Sequence, residues 1–170
     1  RVEHVGRAAN EVANQLGHLW TPAANSDLEA RPWQPDLWIY LHRGGLIPAA
    51  LIWRAYKLQW RPRTYNLIPV SVQAYNIEDE LLQSGIKIDF KHLRQEGRLI
   101  GKDVIIIDDL IDTGISMKHV KEAVEREGAK SVKTAVLFSK IGLAADFIGE
   151  HVPPHVWLDF PWEREQSNFV

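Results

Sequence analysis

The stretch Val104 to Ser116, reading VIIIDDLIDTGIS, constrains this chain more than any other. Four branched apolar residues, Val104, Ile105, Ile106 and Ile107, suit a strand buried on both faces. They run directly into Asp108 and Asp109, which a buried strand does not tolerate unpaired, so the strand is expected to end where the carboxylates begin. Two further apolar residues lead to Asp112, Thr113, Gly114 and Ser116, a short turn rich in backbone donors and hydroxyls. A helical pattern with Met117, Val120 and Val124 on one face follows. A small polar turn at a helix start cradles an anion, because the first-turn N–H groups have no partner inside the helix.

Composition narrows the partners. The 170 residues suffice for one domain with a substantial core, and a single domain over 1–170 is expected. A net charge of -2 and a pI near 6.4 give no electrostatic footprint for nucleic acid. No window approaches the roughly 18 consecutive apolar residues of a membrane span, so neither nucleic acid nor a membrane is an expected partner. Without cysteine the chain has no disulfide, thiolate metal site or thiol nucleophile, which fits a reducing compartment. The chain begins at Arg1, so an upstream targeting segment would not be seen, and a cytoplasmic location is the default expectation.

Periodicity sets out the elements. Val2, Val5, Ala9, Val12 and Leu16 recur at helical spacing and predict an opening amphipathic helix that ends near Gly17 and covers a sheet. Residues 21–35 hold three prolines and read as an irregular connection. Leu37 to Leu41 reads as a strand, followed by His42-Arg43-Gly44-Gly45 and a helix opening near Pro48, a second unit of strand, glycine loop and helix. Tyr65 to Tyr75 alternates as a strand, with Pro69 arguing for an edge or irregular position. Asn76 to Gly101 shows no convincing strand, and a segment of that length inside a compact domain is commonly functional or mobile. After the helix that Gly128 closes comes a strand over Val132 to Phe138 and a tail, His155 to Glu163, reading HVWLDFPWE. Buried strands alternating with helices predict an α/β fold, a mostly parallel twisted sheet flanked by helices.

In such folds ligands bind at the C-terminal ends of the strands, where both glycine loops and the acidic pair fall. The amides of Thr113 to Ser116, with two hydroxyls and the helix dipole, suit a terminal phosphate. Asp108 and Asp109 suit a polyol, since adjacent carboxylates accept from vicinal hydroxyls and help hold a divalent cation through the ligand. Together these point to a ribose phosphate. Arg43-Gly44-Gly45 adds a cation and close backbone approach, suited to a second phosphate group.

VIIIDDLIDTGIS resembles the ribose-phosphate signature of the type I phosphoribosyltransferases. LHRGGLIPA at Leu41 to Ala49 is similar to their pyrophosphate loop, and VWLDFPWE to the base-binding hood of the purine (xanthine-guanine and hypoxanthine) enzymes, in the family's order. The resemblance implies a single domain with a mobile lid over about residues 74–100 and a small hood over about 140–165. It implies that Asp108 and Asp109 hold the ribose hydroxyls of phosphoribosyl pyrophosphate and, largely through that ligand, Mg2+. Asp112 would accept or relay a proton at purine N7 and, with Thr113, Gly114, Ile115 and Ser116, bind the 5'-phosphate. Arg43 and Gly44 would bind pyrophosphate, with a non-proline cis peptide at His42-Arg43. Lys140 would donate to the purine 6-oxo group, Trp157 would stack on the base, and the Leu158 backbone and Glu163 would read its 2-position edge. The family often carries a Ser-Tyr pair in the lid, where this chain has Ala74-Tyr75.

The implied activity is transfer of the phosphoribosyl group to xanthine, guanine or hypoxanthine in purine salvage, by a homodimer or homotetramer. Two alternatives remain open at this point: a regulator that keeps the fold to sense phosphoribosyl pyrophosphate or a nucleotide, and an enzyme of the family with another acceptor. Trp20, Trp33, Trp38, Trp53 and Trp60 have no assigned function and are expected in the core or a subunit interface. The lid charges Lys87, Lys91, Arg94 and Arg98 fit either a pyrophosphate contact or a solvated face.

Overall fold

In a computed structural model of the protein, residues 2–18, 33–59, 66–74, 86–89, 93 and 97–162 are described. The elements in chain order are α1 (Val2–His18), β1 (Leu37–His42), α2 (Leu46–Gln59), β2 (Leu67–Ala74), β3 (Ile86–Asp89), β4 (Asp103–Ile111), α3 (Ile115–Arg126), β5 (Ser131–Lys140) and β6 (Phe147–Val152). The strands form one sheet in the order β3-β2-β1-β4-β5-β6. All described pairings are parallel except β2 with β3. This is the mostly parallel α/β sheet flanked by helices that the hydrophobic pattern predicts.

Strand alternation divides the core into two layers. Trp38, Ile105, Ile107 and Leu137 face α1 and α2, where they pack with Val12, Leu16, Ile52 and Tyr56. Ile39, Val104, Ile106 and Val136 face the other way, against Val120 and Val124 of α3. Val104 to Ile107 are fully buried, as an apolar run covered on both faces requires. The tryptophans follow their expected roles where described: Trp38 is fully buried, and Trp33 is half-buried and donates to Ser131 Oγ at 2.6 Å. Trp20 and Trp60 lie outside the described residues.

Three expectations change. First, β4 does not stop at the carboxylates but continues through Asp108 and Asp109 to Ile111. It can do so because its pairing with β5 extends to Ile111 opposite Ser139, whereas its pairing with β1 ends at Ile107 opposite Tyr40. Beyond that point β4 is no longer paired with β1, and the loop after β1 covers Asp109. Second, Ile86–Asp89 forms a strand, antiparallel to Ser71–Ala74, within the stretch read as strandless. Its few residues are too short for periodicity to register, and the long-range pairing with β2 stabilises them. Third, β2 lies inside the sheet order, between β3 and β1, while Pro69 itself keeps the edge-like position expected of it. β3 covers only Ser71 to Ala74, so the outer flank at Pro69 has no described partner strand, which accommodates a residue without an N–H. β6 also lies in a stretch, Phe147–Val152, that carried no strand expectation.

Candidate active site

The strand order reverses between β1 and β4, and in open α/β sheets the C-terminal ends of the strands at such a reversal are where a ligand crevice forms. The loop after β1 and the loop after β4 therefore face each other beyond the end of the strand pairing at Tyr40 and Ile107.

On the β1 side, Arg43, Gly44 and Gly45 form a turn into α2, and the His42-Arg43 peptide is cis. Arg43 is exposed, while Gly44 lies directly on the Asp109 carboxylate. A Cβ at position 44 would stand 2.6 Å from Asp109 Oδ2, so only glycine permits this approach.

On the β4 side, Asp109 packs against Gly44 and Trp162, the latter part of the α1/α2 layer, while Asp108 is less covered. The two carboxylates are therefore not equivalent. Asp108 is half-buried, and its Oδ1 accepts from the Asp109 amide at 3.0 Å. Asp109 is only 6% exposed, and its Oδ2 accepts from the Trp162 indole N–H at 3.1 Å. Burial pushes the Asp109 carboxyl above the ordinary carboxylate range; the Trp162 N–H, backbone donors and Asp108 act in the opposite direction.

Residues 112–114 turn the chain from β4 into α3. Gly114 precedes the helix at φ 79°, a left-handed conformation that favours glycine. Thr113 Oγ1 accepts from the Ile115 amide at 3.4 Å, and Thr113, Ile115 and Ser116 are exposed. The turn thus lies at the positive end of the α3 dipole, where first-turn amides have no acceptor inside the helix and Ile115 finds one in Thr113 Oγ1.

Lys140 closes the far side. Its side chain is 8% exposed, and its ammonium lies 3.9 Å from Asp112 Oδ1, a carboxylate that is itself exposed. A buried ammonium needs partners, and Lys140 finds them in the tail, donating to Pro154 O at 3.1 Å and to Val156 O. The tail so held presents Trp157, which is 88% exposed, and Leu158, which is partly buried against the core. Further along, Phe160 packs on Phe138, and Trp162 stacks on Phe160 with centroids 4.9 Å apart and planes at 18°.

The structure thus gathers Arg43, Gly44, Asp108, Asp109, Asp112, Thr113, Gly114, Ile115, Ser116, Lys140, Trp157 and Leu158 at the C-terminal end of the sheet and in the adjoining tail. Glu163 lies outside the described residues, as do Tyr75, Lys91, Arg94 and most of the span read as a lid. Within that span Leu93 and Leu99 are buried against the α3 side of the core. The residue that the sequence pattern missed is Trp162. Its signal was weak, an indole that must find an acceptor when it packs, in a tail where three aromatic rings competed for one role.

Among the described residues no group of three histidine, cysteine or carboxylate side chains could hold a metal. None of the described helices is long and apolar enough to cross a membrane.

Residues 31–146 match the phosphoribosyl transferase domain family. Over 125 residues, 74% of this chain and 69% of the relative, the sequence is 28% identical to a xanthine-guanine phosphoribosyltransferase of Idiomarina loihiensis. A shorter match, 36% identical over 58 residues, covers 31% of the chain and 33% of a hypoxanthine-guanine phosphoribosyltransferase of Aquifex aeolicus. The fold superposes on the crystal structure of a purine phosphoribosyltransferase from Pyrococcus horikoshii with a TM-score of 0.67 at 28% identity, covering 97% of this chain and 92% of that one.

Proposed function

Because the chain belongs to the phosphoribosyl transferase domain family, we propose that it transfers the 5-phosphoribosyl group of phosphoribosyl pyrophosphate to an oxopurine, releasing pyrophosphate. The observation that carries the purine assignment is the buried Lys140 ammonium beside Asp112, on a tail that holds Trp157 out. An ammonium has three N–H donors, and the tail carbonyls occupy two, which leaves one for an exocyclic oxygen. Asp112 then stands near a ring nitrogen of the same base, and Trp157 offers a face on which a planar heterocycle stacks. The sequence relatives that act on xanthine, guanine or hypoxanthine support the same reading.

The chemistry follows from these placements. A purine ring nitrogen attacks C1 of the sugar as the C1–O bond breaks, and the diphosphate leaves with the bonding electrons through a transition state of oxocarbenium character. Arg43 and the amides of its loop stabilise the charge that develops on the leaving group. Asp108 and Asp109 orient the sugar through its hydroxyls, and the 112–116 turn anchors the 5'-phosphate. Asp112 accepts or relays the proton that the imidazole ring of the base loses. Two adjacent carboxylates, without a third ligand among the described residues, fit Mg2+ brought in on the oxygens of phosphoribosyl pyrophosphate. When bound, the ion neutralises charge on the diphosphate. The span over about 74–100 would exclude water, the competing nucleophile, by closing over the sugar.

The test is pyrophosphate release with Mg2+ and phosphoribosyl pyrophosphate in the presence of guanine, xanthine or hypoxanthine, each alone and in competition. Turnover with at least one is expected, and the competition ranks them. No turnover with any of the three removes the proposal.

A further inference from the structure

Three separate parts of the chain meet on one buried carboxylate. Gly44, from the loop after β1, lies on the Asp109 carboxylate so closely that a Cβ would fall 2.6 Å from Oδ2 and 2.8 Å from Oδ1. The Trp162 indole, from the tail, donates to that same Oδ2 at 3.1 Å. The indole is fixed from behind by stacking on Phe160, which packs on Phe138 of β5. The tail is thus pinned twice, by Lys140 to Pro154 O and Val156 O and by Asp109 to Trp162, with Trp157 and Leu158 between the pins.

We propose that Trp162 is a positioning residue for the sugar donor: its N–H fixes the Asp109 carboxylate against Gly44, so that one hydrogen bond sets both the pyrophosphate loop and the tail that carries Trp157. The inference rests on the reading of Asp109 and Gly44 as part of the donor site. The physical reason is the loss of a donor to a buried carboxylate oxygen. Without the indole, Oδ2 loses its side-chain donor and the Leu110 and Asp109 backbone donors are left to orient the carboxylate, so the surface on which Gly44 rests is no longer held from the tail side. A tail that served the base alone would have no effect on donor affinity.

Trp162→Phe removes the N–H and keeps an aromatic ring on Phe160. Calorimetric binding of phosphoribosyl pyrophosphate with Mg2+ should weaken about tenfold or more, the effect typical of one lost hydrogen bond to a charged group. The KM for the base, at saturating donor, should change less than the donor affinity. Trp162→His, which restores a ring N–H, should recover part of the binding. In an Asp109→Ala background, Trp162→Phe should add little, because the acceptor through which the residue acts is gone. Unchanged donor affinity in Trp162→Phe overturns the inference, as does an equal loss in both backgrounds. A loss that His does not relieve and that accompanies a collapsed thermal transition assigns Trp162 to fold stability alone, and also overturns it. If the unaltered protein fails to bind phosphoribosyl pyrophosphate, the functional reading fails; if it binds and Trp162→Phe binds equally, only the positioning role fails.

Discussion

Asp108, Asp109 and Asp112 lie within five residues of one another, yet each has a different environment. Asp112 is exposed beside Lys140, Asp108 is half-buried, and Asp109 is buried under Gly44 and Trp162. Replacing Asp108 and Asp109 together by Asn should weaken binding of phosphoribosyl pyrophosphate, whereas Asp112→Asn should lower kcat by about 10²- to 10⁴-fold with donor binding retained. Equal loss of donor affinity in the two variants would contradict this division. Asp109 also makes a prediction about stability. Burial raises its folded-state pKa above the ordinary 3.8, so its protonated form is favoured in the fold. The stabilisation this gives is full below the unfolded-state pKa and is lost as pH rises through the folded-state value. At neutral pH the buried charge therefore destabilises the fold, and Asp109→Asn should raise the melting temperature there, by an increment that shrinks as the pH is lowered toward 3.8. A lower midpoint at neutral pH would show that the charge is better stabilised than its burial implies. Gly44→Ala makes the companion test: the added Cβ has no room against Asp109, so donor affinity should fall even if the fold survives.

At the scale of elements, the strongly periodic segments were legible. The expected strand at Leu37 to Leu41 is β1 at Leu37–His42, the opening helix is α1, and the strand at Val132 to Phe138 is the centre of β5. The failures were β3 and β6, four and six residues long, and the length of β4. Each depends on which strand lies alongside, and a linear pattern does not carry that information. β4 shows this best, because its acidic end remains a strand through pairing with β5 alone. α1 illustrates the converse, a helix whose stripe was visible at Ala9, Val12 and Leu16, with Ala8 and Ala13 also buried, but whose partners were not. Leu16→Ala leaves a cavity between α1 and the sheet, and should cost about 2–5 kcal/mol of unfolding free energy in a denaturant titration. Because α1 does not contribute to the crevice, the affinity for phosphoribosyl pyrophosphate should be unchanged; a parallel loss of binding would tie α1 to the site.

For the whole molecule, the proposed donor site draws on segments that the fold brings together from β1, β4 and the tail, so ligand binding there would be linked to folding. With Mg2+, phosphoribosyl pyrophosphate at about 100 times its Kd should add about 2.7 kcal/mol, a rise of roughly 5–11 °C in melting temperature for a chain of this size. A purine base alone should shift the transition less, since its proposed contacts come from Lys140, Asp112 and the tail only. A larger shift from the base than from the donor would reverse the assignment of the better-formed site.

The sequence by itself determined which donors, hydroxyls and charges each loop carries. An apolar run ending in two carboxylates and a DTGIS turn can be read locally, because amides, hydroxyls and charge at a helix start act over one turn of chain. It also determined the α/β class, since two periodicities alternate along it. Only the tertiary structure decided that β1 and β4 part at Tyr40 and Ile107, that Gly44 covers Asp109, and that Trp162 reaches back to Asp109. Those are contacts between residues more than fifty positions apart, and their formation depends on which surfaces remain uncovered after the sheet has formed.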